Sequence, residues 1–110
     1  MLRIHVLECE AEHYQSLNKE AKNFVVRLND RDYKVGDILW FYPYDPETEE
    51  EGEGYIWRKV TYIQPGRGKC GVNLGYCVMA LTTLSGQDVR KLIDYLNGLK
   101  PPKALNKPKE

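Results

Sequence analysis

The chain has 110 residues, 42% of them hydrophobic and 29% charged, which is enough for one domain with an ordinary core and too little for two. Sixteen basic and sixteen acidic side chains give a formal charge of zero, which excludes a protein that grips nucleic acid mainly by bulk positive charge. Cys9, Cys70 and Cys77 match no close-paired metal or redox spacing, and His5 and His13 are too few and too far apart to form a ligand set. A disulfide scaffold, a metal site and a cofactor are therefore not expected.

Leu2, Ile4 and Val6 alternate with Arg3 and His5, the period-two pattern of a half-buried strand. With charge inside the first eight residues and no long apolar run, this segment reads as neither a signal peptide nor a membrane span. A reducing cytoplasm is the expected setting, with no membrane partner. From Ala11 to about Glu20, Tyr14, Leu17 and Ala21 recur at helical spacing among polar residues, predicting a short surface helix. Phe24-Val25-Val26-Arg27-Leu28 is a strand by its β-branched and aromatic content. Asn29-Asp30-Arg31-Asp32 has turn chemistry and tolerates left-handed geometry, and Tyr33 to Asp37 makes a second turn.

The apolar run Ile38 to Tyr44 predicts the next strand, with Pro43 placing its end at an edge. Asp45 to Gly54 holds six acids and no base and reads as a solvated loop. Tyr55 to Gln64 alternates again as a long strand, Pro65 to Gly71 is a glycine-rich basic loop, and Gly75 to Thr83 is the last strand. Ser85-Gly86-Gln87-Asp88 forms a capping box ahead of Val89, Leu92, Ile93 and Leu96, whose spacing predicts a helix that Gly98 stops. Residues 1–99 make up the domain, and the Lys- and Pro-rich tail of 100–110 is expected to be disordered. Within 1–99 there are twelve bases and fifteen acids. Six of those acids sit in the one loop, so the rest of the body is mildly basic.

The order of elements and several strings resemble an ASCH domain of the PUA-like superfamily, most closely a small prokaryotic and viral branch of unknown function. The main string runs from Phe24 through Arg27-Leu28-Asn29-Asp30-Arg31-Asp32-Tyr33-Lys34-Val35-Gly36-Asp37-Ile38-Leu39. His5-x-Leu7 and Gly75-Tyr76-Cys77-Val78-Met79 agree with it, as do Tyr42-x-Tyr44-Asp45-Pro46 and Val60-Thr61-Tyr62-Ile63. The resemblance implies an α+β fold, a small β-barrel of five to six strands with two flanking helices, its sheet mixed or antiparallel. It also implies a cleft for RNA or a modified nucleotide. Relatives in the superfamily include an amidohydrolase acting on acylated cytidine derivatives, built around a lysine, a carboxylate and an arginine. Here Glu8 stands where the branch has lysine and Val25 where it has glutamate, while Lys22 and Arg27 remain. The paired acid and base of a hydrolase are thereby lost, and binding is favoured over catalysis.

On this reading Lys22, Arg27, Asn29, Arg31 and Tyr33 form a basic nucleic-acid-binding cleft, since a guanidinium fork fits phosphate or a base edge. A plainer use of Arg31 is a surface pair with Asp30 or Asp32. Most rings must fill the core, leaving Tyr33 and Trp57 as the better candidates for exposed base stacking. Arg67 and Lys69 fit a hairpin loop better than a phosphate loop. Cys77 is expected to be a buried, inert thiol. A small amidohydrolase using Lys22, rescued if Glu8 lies within hydrogen-bond reach of it, is one alternative. A protein-interaction module with a vestigial cleft is the other.

Overall fold

The apolar runs become strands in the expected order. A computed structural model describes residues 2–68 and 71–98, so the expectations for Lys69, Cys70 and the 100–110 tail lie outside the described residues. The elements are β1 (Ile4–Glu10), α1 (Ala11–Asn18), β2 (Phe24–Leu28), β3 (Ile38–Asp45), β4 (Glu50–Glu51), β5 (Ile56–Pro65), β6 (Tyr76–Thr82) and α2 (Gly86–Asn97). They form one curled, mixed sheet, a half-barrel with two helices. Among the described residues no helix is long and apolar enough to cross a membrane.

Strand order is β1-β3-β5-β6-β2, with β4 attached to β3. β1 and β3 run parallel from Ile4 opposite Ile38 to Glu10 opposite Tyr44. Every other pairing is antiparallel. The parallel pair needs a long crossover, and α1, β2 and the bend after β2 supply it. A bulge between Val60 and Tyr62 on β5 shifts the register against β6, adding local twist that helps the sheet curl.

Inward side chains of all five main strands and Leu17 of α1 make the core, including Leu7, Val25, Phe41, Val60, Cys77 and Met79. Arg58, next to them on β5, sends its Nη2 to the carbonyl of Leu17 at 2.8 Å. That carbonyl, in the last turn of α1, also accepts from Glu20 N at 3.0 Å, so Arg58 adds a second bond to it. On the outer face of β3, Ile38, Trp40 and Tyr42 are also buried. Trp40 stacks on Trp57 with centroids 4.6 Å apart and takes Tyr55 edge-on at 4.9 Å.

Three expectations need correction. The buried side chains of β1 are Leu7 and Cys9, while Leu2, Ile4 and Val6 are only half-buried. The strand continues past Val6, and its other face meets the core. Pro43 does not lie at an edge: β1 pairs along that stretch, and the Pro43 carbonyl accepts from Gly52 N at 3.0 Å. A proline is tolerated there because the carbonyl, not the missing N–H, serves the β4 side. The acidic segment is not loop throughout, since Glu50 and Glu51 return as β4 against Tyr44 and Asp45.

The turn before β3 is fixed by Asp37, which is 3% exposed. Its Oδ2 accepts from His5 Nε2 at 2.8 Å and from Lys34 N at 2.9 Å, and Arg3 Nε lies 3.6 Å from Oδ1. His5 is thus a satisfied structural histidine. Gly36 takes φ +98° and donates its N–H to the Val60 carbonyl at 2.8 Å. Close to this turn the capping box forms as expected, with Ser85 and Asp88 exchanging hydrogen bonds and Lys59 Nζ, opposite Ile38, donating to Asp88 at 3.1 Å.

Two outcomes follow from these contacts. Asp37→Ala leaves His5 and the Lys34 N–H without their acceptor and should cost about 2–4 kcal/mol in a urea unfolding titration, with Asp37→Asn milder. Hydrogen bonds from Ser85, then from Lys59, hold the Asp88 carboxyl below its ordinary 3.8. A depressed carboxyl stabilises the fold at all pH above its unfolded value, and that contribution disappears as pH falls through the lower folded value. Helical signal from α2, followed by NMR, should therefore weaken below pH 3.8, and Ser85→Ala should move that loss to higher pH.

Candidate ligand cleft at the open seam

Within a strand, the N–H and carbonyl of one residue point to the same side, and successive residues alternate. On β1 the carbonyl of Arg3 turns to β3, where it accepts from Ile38 N at 2.9 Å. The carbonyls of Val6 and Glu8 therefore face the other way, toward β2. No backbone ladder joins β1 to β2. Arginines replace it: Arg27 Nη1 donates to Glu8 O and Arg31 Nη1 to Val6 O, each at 3.1 Å. Arg3 Nη2 reaches back to Arg31 O at 3.2 Å and Asp32 O at 2.9 Å.

Above these stitches the seam opens into a cleft of about 480 Å³, within the range of small-molecule sites. Cys9, Val25 and Phe41, all buried, give it an apolar floor. Lys22, His13 and Arg27 supply nitrogen donors on one side, with Glu8, Glu10 and Tyr44 also on the lining. Lys22 Nζ donates to His13 Nδ1 at 3.1 Å and lies 5.2 Å from the centroid of the Phe24 ring. His13 comes from α1, which follows β1 without a break, so helix and strand deliver it and Glu10 to the same rim.

The five residues singled out in the sequence are divided by the structure. Lys22 and Arg27 line the cleft. Asn29 is exposed in the bend, its N–H bonded to Gly75 O at 2.8 Å. Arg31 lies further along the seam and pairs with neither Asp30 nor Asp32; Lys34 takes Asp32 instead, at 3.1 Å. Tyr33 is not an exposed stacker. It is 4% exposed, packed edge-on against His5 at 4.9 Å, because the bend turns its ring into the core and leaves Asp32 in the left-handed region at φ 50°. Its hydroxyl meets no hydrogen-bond partner of good geometry among the described residues. Trp57 is half-buried with one face against Trp40.

Cys9, His13, Glu10 and Tyr44 were not anticipated. Cys9, Glu10 and His13 are close in sequence across the junction of β1 and α1, and the parallel pairing of β1 with β3, which sets Glu10 opposite Tyr44, adds the fourth. Glu8 lines the cleft but makes no ion pair with Lys22 within 4 Å among the described residues. Burial pushes the Cys9 thiol above its ordinary 9.0, against the pull of Lys22 and Arg27, and Glu10 adds to the rise. Burial likewise raises the Tyr33 hydroxyl and the Cys77 thiol. No group of three or more His, Cys, Asp or Glu suited to a metal occurs among the described residues.

Fold and site together define a small α+β half-barrel with an amphipathic groove where its sheet stays open. The chain belongs to the family described as a domain of unknown function, DUF3850, whose model matches residues 4–81. That span contains every strand except the final residue of β6, and every residue lining the cleft. No curated protein matches the chain.

Since the thiolate is the reactive form, Cys9 should alkylate more slowly at neutral pH than an unperturbed thiol. Peptide-resolved mass spectrometry after iodoacetamide treatment should show its rate still rising above pH 9.0.

Proposed function

We propose that the domain is an RNA- or modified-nucleotide-binding module of ASCH or PUA-like type, and that its ligand occupies the seam cleft. The observation that carries this reading is the composition of the cleft. An apolar floor of Val25, Phe41 and Cys9 suits the face of a base, and the flanking Lys22 and Arg27 suit phosphate or a base edge. The chain is neutral in sum, so attraction to a polyanion has to come from such a local cluster.

The discriminating measurement is a fluorescence titration with short labelled single-stranded RNA and with mononucleotides. Lys22→Ala and Arg27→Ala should each weaken binding by about fivefold or more, with Lys22→Ala lowering the salt slope by about one. Arg31→Ala loses an equivalent seam bond without touching the cleft, and it serves as the control for stability. Affinity unchanged in both cleft variants would remove the reading.

The contact between Lys22 and His13 favours a second reading, an amidohydrolase acting on acylated nucleosides. Lys22 donates to an imidazole on a rim that also carries Glu10, a set for moving protons at an amide, although Glu8 makes no ion pair with Lys22 among the described residues. Release of free acid from an N-acylated cytidine, lost in both Lys22→Ala and His13→Ala, would establish this activity. Intact substrate after prolonged incubation would rule it out.

A further inference from the structure

We propose that the outer face of β2, β6 and β5 is the interface of a symmetric dimer of this chain. The strand register sets Phe24, Ala80 and Tyr62 in one row, Val26, Val78 and Gln64 in the next, and Leu28 beside Tyr76 in a third. This is the side opposite the core residues Val25, Met79 and Ile63. The solvated face of an antiparallel sheet is ordinarily polar. Here Phe24, Val26, Leu28, Tyr62 and Tyr76 are 43–59% exposed, and no charged residue stands in the three rows.

The sequence of β2 points the same way. Phe24, Val25, Val26 and Leu28 do not alternate with polar residues, and continuous apolar strands are those covered on both faces. One cover is the core of the half-barrel. Among the described residues no second cover lies over these rows: α2 is tied beside them on the same outer face, where Lys59, opposite Thr82 of β6, holds Asp88.

A second copy fits this face for two reasons. A two-fold axis sets a patch against itself, so a charged patch would repel its own image, whereas three rows without a charged residue, bordered by Lys22 and Lys59, keep that penalty at the margin. The five side chains expose roughly 500 Å² per copy, taking about 150–250 Å² for each whole aromatic side chain. Two copies thus bury roughly 1,000 Å², the lower limit for a specific interface. The expected dimer is correspondingly weak, in the micromolar range. Phe24 carries Lys22 over its ring, so each seam cleft would open beside the dimer contact.

Sedimentation velocity on the full chain, from about 1 to 200 µM, should show concentration-dependent dimerisation. Leu28→Lys and Tyr62→Lys, at exposed positions that do not line the cleft, should each weaken it about tenfold or more while leaving circular dichroism and thermal unfolding unchanged. A chain that stays monomeric at 200 µM would overturn the proposal, as would a dimer indifferent to both variants. Methyl NMR identifies other occupants. Shifts at Leu28 and Val78 on removal of 100–110, or on addition of RNA to a monomeric chain, would assign the face to the tail or to nucleic acid and equally overturn it.

Discussion

The constraint on which the rest of this structure depends is the unpaired seam between β1 and β2. Five strands curl far enough to bring the first and last side by side, but their backbones do not ladder together. A carbonyl left unpaired in the part-buried stretch of this gap would carry a desolvation cost, which Arg31 removes at Val6, while Arg27 makes the matching bond to Glu8 at the exposed end. A guanidinium can do this where a lysine could not equally well, because its planar fork presents several donors while its aliphatic stem packs against apolar neighbours. The same arrangement leaves the seam wide enough at one end for a cleft. Had β1 and β2 paired throughout, Cys9, Val25 and Phe41 would be ordinary interior residues and no floor would be reachable.

Two functions therefore compete for Arg27. Its Nη1 is committed to a backbone carbonyl, yet the residue lines the cleft. A ligand carrying negative charge would meet a cation whose position is already fixed, so little side-chain entropy remains to be lost on binding. Lys22 is held less directly, between His13 and the ring of Phe24. The two cations offer a rigid and an adjustable contact on the same wall.

Most of the secondary structure was legible in the sequence. The capping box located α2, β-branched and aromatic content located β2, and glycine with polar turns marked the connections. What remained hidden depended on long-range pairing. The burial of Leu7 and Cys9 follows from β1 extending past Val6, which no alternation over the first six residues reveals. Tyr33 reads as an accessible turn residue until the left-handed Asp32 ahead of it turns the ring inward. Lys22 and Arg27 were identified through a family string, and their shared cleft is consistent with their five-residue separation around one strand end. Tyr44 needed the topology, because the pairing that sets it opposite Glu10 joins strands far apart in sequence, whereas Glu10 and His13 sit on one continuous segment.

The parallel pairing of β1 with β3 also bears on how the chain acquires its shape. Ile4 waits for a partner about 34 residues away, and no helix or hairpin formed in between can substitute for it. Closure of so long a loop carries an entropic penalty that must be met before the contact rewards it. During synthesis β1 should thus stay without its ladder partner until Ile38 to Tyr44 of β3 have emerged.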